Sequence, residues 1–271
     1  MSAAERIVFI GAGNMAEALV RGLLSAGVAA AEDLFVTDVL PARRAHFLAR
    51  YGVAGGAENA AAARAADVLV LAVKPQQLPE VCRGLAGALP RDPLIVSIAA
   101  GATTARIEEW LGGAPRVVRA MPNSPALVGA GITALAPGRR ATAADLDRAE
   151  RLLGAAGAVV RVGEDALDAV TAVSGSGPAY VFYLAEAMRA AALQHGLAPD
   201  IADALVRRTI LGAGRLLEAE AAAAPEELRR RVTSKGGTTE AAVAVLDARG
   251  VREAITAAVA AAAARAKALS K

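Results

Sequence analysis

The run V-T-S-K-G-G-T-T at residues 232–239 gathers four hydroxyls, those of Thr233, Ser234, Thr238 and Thr239, around Gly236 and Gly237, at a point where a helix is about to begin. Paired glycines open backbone conformations closed to other residues, and successive N–H groups at a helix start attract an anion. With hydroxyls as extra donors, these residue types suit a small carboxylate. Ser and Thr also cap helices for purely local reasons, and taken alone the run leaves that reading open. Two further motifs bear on it: G-A-G-N-M-A at 11–16 and S-G-S-G-P at 174–178.

The first of these has the context that gives it meaning. An apolar strand, I-V-F-I, enters G-x-G-x-x-A and a helical pattern follows. Gly11 makes the tight turn, Gly13 lets a pyrophosphate approach the backbone, and Ala16 keeps helix and strand close. Dinucleotide binding is therefore expected here, with Ile10, Gly11, Ala12, Gly13, Asn14 and Met15 at the cofactor. The second strand ends at Thr37-Asp38, where an acid would accept hydrogen bonds from the adenosine ribose of NAD and repel a 2′-phosphate. Arg43 and Arg44 lie close behind, and either could pair with that phosphate. NADPH and NADH both stay open, and use of both is expected. Ala72, Val73, Lys74 and Pro75 close one strand at the carboxyl edge of the sheet, and Ile98, Ala99 and Ala100 close the next, where ligands bind in such folds. Lys74 is equally readable as a solvated loop charge.

The elements that must hold these residues follow from periodicity. Strand patterns fall at 6–10, 34–37, 68–73, 94–98, 117–120, 132–135 and 159–162, with helices at 14–26, 41–50, 78–88, 103–111 and 142–156 between them. This alternation signals βαβ units and a parallel sheet. T-A-A-D at 142–145 resembles a capping box with Asp145 in place of Glu or Gln. Past 162 only helical patterns remain, at 165–173, 178–194, 199–219, 225–232, 239–249 and 251–269. The fold class is thus α/β, an N-terminal Rossmann dinucleotide-binding domain at 1–163 followed by an all-α domain at 164–271.

Composition narrows the function classes. The formal net charge of +3 is scattered without a basic tract, which argues against nucleic acid as the main partner. One cysteine, Cys82, excludes an intrachain disulfide and a multi-cysteine metal site, and no metal is expected. His195 before Gly196 reads as a helix-end residue and His46 as a surface one. The strand at 7–10 runs straight into Gly11, so no secretory leader is expected. The alanine-rich tail at 254–268, broken by Arg265 and Lys267, is shorter than the ~20 apolar residues of a membrane span. A cytoplasmic protein with no membrane partner is the expectation.

Taken together, G-A-G-N-M-A, A-V-K-P at 72–75, R-A-M-P-N at 119–123, S-G-S-G-P-A-Y at 174–180 and V-T-S-K-G-G-T-T resemble, in order through nearly the whole chain, the Δ1-pyrroline-5-carboxylate reductases. The resemblance implies a Rossmann domain holding NAD(P)H and a helical domain forming an intertwined homodimer, often assembled into a decamer. It implies adenosine contact by Asn59, nicotinamide and ribose contacts at Ala72 to Pro75 and at Ile98 to Ala100, and substrate contacts by Ser234, Gly236, Gly237, Thr238 and Thr239. Thr239 takes the place of the threonine that bonds the ring nitrogen, and Glu164 resembles an acid near the substrate amine. Lys235 departs from the family pattern, where proline is usual, and Arg231 stands where some relatives carry an amide.

The chemistry is compatible with these residues. A protonated cyclic imine already has an electrophilic carbon and needs a hydride held at contact distance, so positioning supplies most of the catalysis and no strong base is required. The loop at 232–239 lies too far along the chain for the Rossmann half, which implies a pocket between domains or subunits. Two alternatives compete. Another reductase of this two-domain plan, acting on a hydroxyacid or open imine, generally uses a lysine on a long interdomain helix, and the helical pattern at 178–194 contains none. A non-catalytic NAD(P)-binding regulator would leave the second anion loop without a purpose.

Overall fold

A computed structural model describes residues 5–89 and 92–270. Residues 1–4, on which the leader reading partly rests, lie outside them. The chain divides by compactness into Met1–Gly175 with Ala262–Lys271, and Ser176–Ala261.

The first unit is built on eight strands: β1 (Ile7–Ile10), β2 (Leu34–Thr37), β3 (Ala54–Gly56), β4 (Val68–Leu71), β5 (Leu94–Ser97), β6 (Arg116–Met121), β7 (Gly131–Pro137) and β8 (Gly157–Arg161). Their order in the sheet is β3-β2-β1-β4-β5-β6-β7-β8. Its helices are α1 (Asn14–Ser25), α2 (Pro41–Tyr51), α3 (Asn59–Ala63), α4 (Leu78–Leu85), α5 (Thr104–Leu111), α6 (Ala143–Leu153) and α7 (Leu167–Val170). Strand alternation sorts the core onto two faces. Ile7, Phe9, Val36, Val70 and Val96 pack with α1, Phe47 of α2, and α6. Val8, Ile10, Leu69, Leu71 and Ile95 pack with α3, α4 and α5.

Two details depart from the expectation. β3 and α3 have the sequences A-G-G and N-A-A-A-A, which carry no apolar alternation to read; β3 joins the sheet by backbone pairing with β2 alone. The sheet is also mixed: β1 to β6 pair in parallel, but β7 lies antiparallel to β6 and β8 parallel to β7. The connection at 122–130 holds only a 3₁₀ turn (Ser124–Val128), too short for the crossover that a parallel partner needs. The capping box does form, with Thr142 N–H donating to Asp145 Oδ2 at 2.9 Å and Asp145 N–H to Thr142 Oγ1 at 3.2 Å.

The second unit holds α8 (Gly177–Gln194), α9 (Pro199–Ala219), α10 (Pro225–Arg231), α11 (Thr238–Ala248) and most of α12 (Val251–Leu269). His195 is the helix-end residue of α8; Gly196 follows at φ +82° and donates to the Leu193 carbonyl. Within this unit only Ala202 and Val206 are fully buried among the described residues, while Phe182, Tyr183 and Leu184 are 63%, 75% and 53% exposed. Apolar surface on that scale marks a contact face.

Between α1 and α2 sits a carboxylate with three partners. Glu17 accepts from Arg43 at 2.9 Å and from Tyr51 at 3.0 Å, and His46 Nε2 lies 2.7 Å from its Oε1. His46 is thus a surface-side partner of this cluster. Burial pushes the Glu17 carboxyl up, but hydrogen bonds from His46, Arg43 and Tyr51 outweigh it and bring it from 4.5 down to about 2. A depressed carboxyl stabilises the fold fully above its unfolded value and loses that contribution as pH falls through the folded one. Glu17→Gln should therefore cost on the order of 2 kcal/mol near neutrality and flatten the loss of stability between about pH 4.5 and 2. Denaturant midpoints across that window check this, and an unchanged acid limb would refute it.

Candidate functional site

The candidate cofactor edge is formed where β1, β2, β4 and β5 end side by side. Gly11 stands at φ +103°, and a Cβ there would lie 2.7 Å from the Ala72 carbonyl oxygen, so only glycine makes this turn. Gly13 is the N-cap of α1 and a Cβ on it would meet open space. No side chain caps α1, so its first-turn N–H groups are available to an anion. This is the geometry a pyrophosphate requires, and the residues fit a dinucleotide. Ile10 and Ala12 are buried beneath the turn while Gly13 and Asn14 are exposed and Met15 half-buried. Ala72, Val73, Ile98 and Ala100 are half-buried along the same edge, with Ala99 buried and Lys74 and Pro75 exposed. Asn59 opens the short α3 beyond β3.

The acid and the two arginines have distinct partners. Asp38 holds two backbone groups, accepting from Ala12 N–H at 3.0 Å and Leu40 N–H at 2.9 Å, which fixes its carboxylate beside the glycine turn. Arg43 donates to the Ala12 carbonyl at 2.6 Å and pairs with Glu17, so it clamps the turn from the other side. Arg44 donates only to carbonyls, those of Asp38 at 2.6 Å and Val39 at 3.3 Å. Its charge has no carboxylate partner among the described residues. The role of Glu17 in separating the two arginines has no signal in the sequence beyond an acid in the first turn of α1.

R-A-M-P-N meets Ser174 and Gly175, the first half of S-G-S-G, within the first unit. Arg119 is buried, and its guanidinium lies 3.3 Å from Glu164 Oε1. Glu164 also accepts from the Thr104 N–H and hydroxyl, both at 2.7 Å, capping α5. Both of its carboxylate oxygens are engaged within the first unit. Asn123 donates to the Ser174 carbonyl at 3.2 Å and accepts from Ile132 N–H at 2.9 Å. A Cβ on Gly175 would approach the Met121 methyl to 2.9 Å, so this glycine serves close packing. Sequence reasoning placed both motifs without seeing that they touch.

In the second unit the run at 232–239 links α10 to α11. Gly236 adopts φ +72°, and Gly237 is the N-cap of α11, again without a side-chain cap. The N–H groups of Thr238 and Thr239 thus open beyond the helix end. Ser234 Oγ lies over Gly237, where a Cβ would come within 2.5 Å of it. Several groups of the run are already engaged: Gly236 N–H donates to Glu240 at 2.7 Å, Gly237 N–H to the Ser234 carbonyl at 3.0 Å, and the Thr233 hydroxyl to the Arg229 carbonyl at 2.7 Å. Arg231 pairs with Glu220 at 2.8 Å and Glu227 at 3.0 Å, and Lys235 is exposed.

Comparison with known proteins agrees with both halves. Residues 164–269 match the family model for pyrroline-5-carboxylate reductase dimerisation, and residues 6–101 match that for coenzyme F420-dependent NADP oxidoreductases. The pyrroline-5-carboxylate reductase of Pseudomonas aeruginosa is 47% identical over 247 residues, spanning 90% of this chain and 89% of that protein. That of Synechocystis is 43% identical and spans 97% of both. The chain belongs to the pyrroline-5-carboxylate reductase family.

Solved structures of the family superpose closely on this member. The reductase of Coxiella burnetii, 42% identical, gives a TM-score of 0.93 over 99% of both chains. That of Plasmodium falciparum, with NADP bound, gives 0.88 at 27% identity over the full length of both. The N-terminal unit of this reductase is thus a Rossmann-like domain and the C-terminal one a helical dimerisation domain.

Three expectations follow from the partners above. Arg44→Ala should weaken NADPH by about tenfold more than NADH, on the scale of one charge-assisted phosphate contact. Arg43→Ala should harm both cofactors alike, because it releases the glycine turn; fluorescence titration with each cofactor distinguishes the two. Glu164→Ala should lower stability by about 3 kcal/mol by stranding buried Arg119, with KM for the imine changed less than about threefold. A tenfold higher KM at unchanged Tm would instead support the role at the substrate amine that the family resemblance implies for Glu164.

Proposed function

We propose that this reductase transfers hydride from NAD(P)H to the C=N bond of 1-pyrroline-5-carboxylate, giving L-proline as the last step of proline biosynthesis. The observation that carries the substrate assignment is the uncapped head of α11: a helix start with paired glycines, two open N–H groups and three hydroxyls, in a chain of this family. The charge of a small carboxylate is the complement of that donor set.

In this reading the N–H groups of Thr238 and Thr239, with Ser234 Oγ, hold the carboxylate, and the Gly237 backbone leaves room for it. The Thr239 hydroxyl accepts from the N–H of the protonated imine and so orients the ring. Gly236 shapes the turn, its own N–H being held by Glu240. Bound NAD(P)H supplies the hydride. At the opposite site, Gly11, Gly13 and the head of α1 hold the pyrophosphate, Asp38 and Asn59 the adenosine side, and Ala72 to Pro75 with Ile98 to Ala100 the nicotinamide side. Because Asp38 repels a 2′-phosphate and Arg44 attracts one, both cofactors are used. No histidine takes part.

The exposed apolar faces of α8 and α9 support a homodimer through the helical domain, and a decamer of such dimers is part of the proposal. We place the functional division at 163/164, where the dimerisation model begins. No helix among the described residues is long and apolar enough to cross a membrane; a cytoplasmic site of action without nucleic-acid partners is part of the proposal, the latter supported by a net charge of +3 scattered without a basic tract. Likenesses to a prephenate dehydrogenase and a 3-hydroxyisobutyrate dehydrogenase, at 17% and 19% identity, concern the fold alone.

Purified protein should oxidise NAD(P)H on addition of 1-pyrroline-5-carboxylate, and absence of that reaction would remove the substrate assignment. Thr239→Val should lower kcat/KM by about 10 to 100-fold, roughly 1 to 3 kcal/mol for one lost hydrogen bond in the site. Cofactor affinity should stay unchanged. Steady-state kinetics with both cofactors measure this, and an unaltered kcat/KM would exclude Thr239 from the mechanism.

A further inference from the structure

A cleft of about 460 Å³ opens beside α4 and α5, lined by Arg83 of α4, by Arg106 and Trp110 of α5, by Pro75 and Ala100 at the strand ends, and by Leu269 at the end of α12. It lies on the sheet face that packs α3, α4 and α5, whereas the glycine-rich turn feeds α1 on the other face. Its volume falls in the range of small-molecule sites. Among the described residues neither Arg83 nor Arg106 has a carboxylate or carbonyl partner, although arginines elsewhere in this unit, such as Arg43, Arg116 and Arg161, are paired. The Arg106 guanidinium sits over the Trp110 ring at 5.7 Å, which presents an indole and a cation side by side. No Asp or Glu lines the cleft.

We propose that this cleft binds a planar organic monoanion, such as an aromatic carboxylate. Arg83 and Arg106 take the anionic group, since guanidinium matches carboxylate geometry. Trp110 and the proline and alanine walls cover the apolar body. Pro75 and Ala100 face both this cleft and the candidate nicotinamide edge, and occupancy therefore alters NAD(P)H binding. That coupling rests on the functional reading above; binding to the cleft does not.

Trp110 is the only tryptophan of the chain, so its fluorescence reports on this cleft alone. Titration of the full-length, cofactor-free protein with benzoate should give a saturable change in Trp110 emission. Benzamide, neutral and of the same shape, and inorganic phosphate, charged but without an apolar body, should each bind at least about tenfold more weakly. The Arg83→Gln, Arg106→Gln double variant should lose benzoate binding by at least about tenfold, with an unchanged circular dichroism spectrum because both side chains are exposed. Benzoate should also change the KM for NAD(P)H in wild type and not in the double variant. Absence of a saturable signal, equal binding by the double variant, or phosphate binding as tight as benzoate would overturn the proposal. Benzoate binding without any change in KM would retain the site and overturn its coupling to the cofactor.

Discussion

The close approach of two chain segments at Gly11 is the constraint on which the candidate cofactor edge depends. At that point the end of β1 runs under the carbonyl of Ala72, too near for any side chain to intervene. The turn is then held from both sides at Ala12, whose N–H goes to Asp38 and whose carbonyl receives Arg43. A donor array at a helix terminus is useful only if it keeps its geometry before the anion arrives, because ordering it afterwards would cost conformational entropy. Glu17 extends the same support one layer out by fixing Arg43 and joining α1 to α2.

The joint formed by Arg119, Asn123 and Glu164 performs a comparable service at the far end of the sheet. A buried guanidinium without a partner would be unstable, so the Arg119 pairing ties β6 to the start of α5 through Glu164. Asn123 in turn links β7 to the Ser174 turn. Two polar side chains thus connect four segments that no hydrophobic periodicity would bring into register. The helical unit has the opposite character: many small residues, few buried side chains and broad apolar faces. Such a unit gains most of its burial from another chain, which is the physical content of a dimerisation domain.

Much of the architecture was legible because the strands and helices of the first unit carry strong periodicity. β2 and α9 fall where the pattern put them, since a run such as L-F-V-T or a proline-led 21-residue amphipathic helix has few alternatives. β3 and α3 were not legible, because Ala and Gly encode no face. The antiparallel β7 was not either: strand direction is set by the length of the connection and by where the next helix packs, and the apolar pattern of a strand reads the same in both directions.

The candidate sites divide along the same line. The glycine-rich turn and the loop at 232–239 are local motifs, in which consecutive residues make the geometry, so the sequence alone identified them and the family they belong to. The partners of the charged residues are long-range. That Arg43 belongs to Glu17 and Ala12, that Glu164 closes on Thr104 and Arg119, and that Gly236 is already held by Glu240 follow from side chains meeting in space. A charge's role depends on what lies within a few ångströms of it, and only the folded chain decides that.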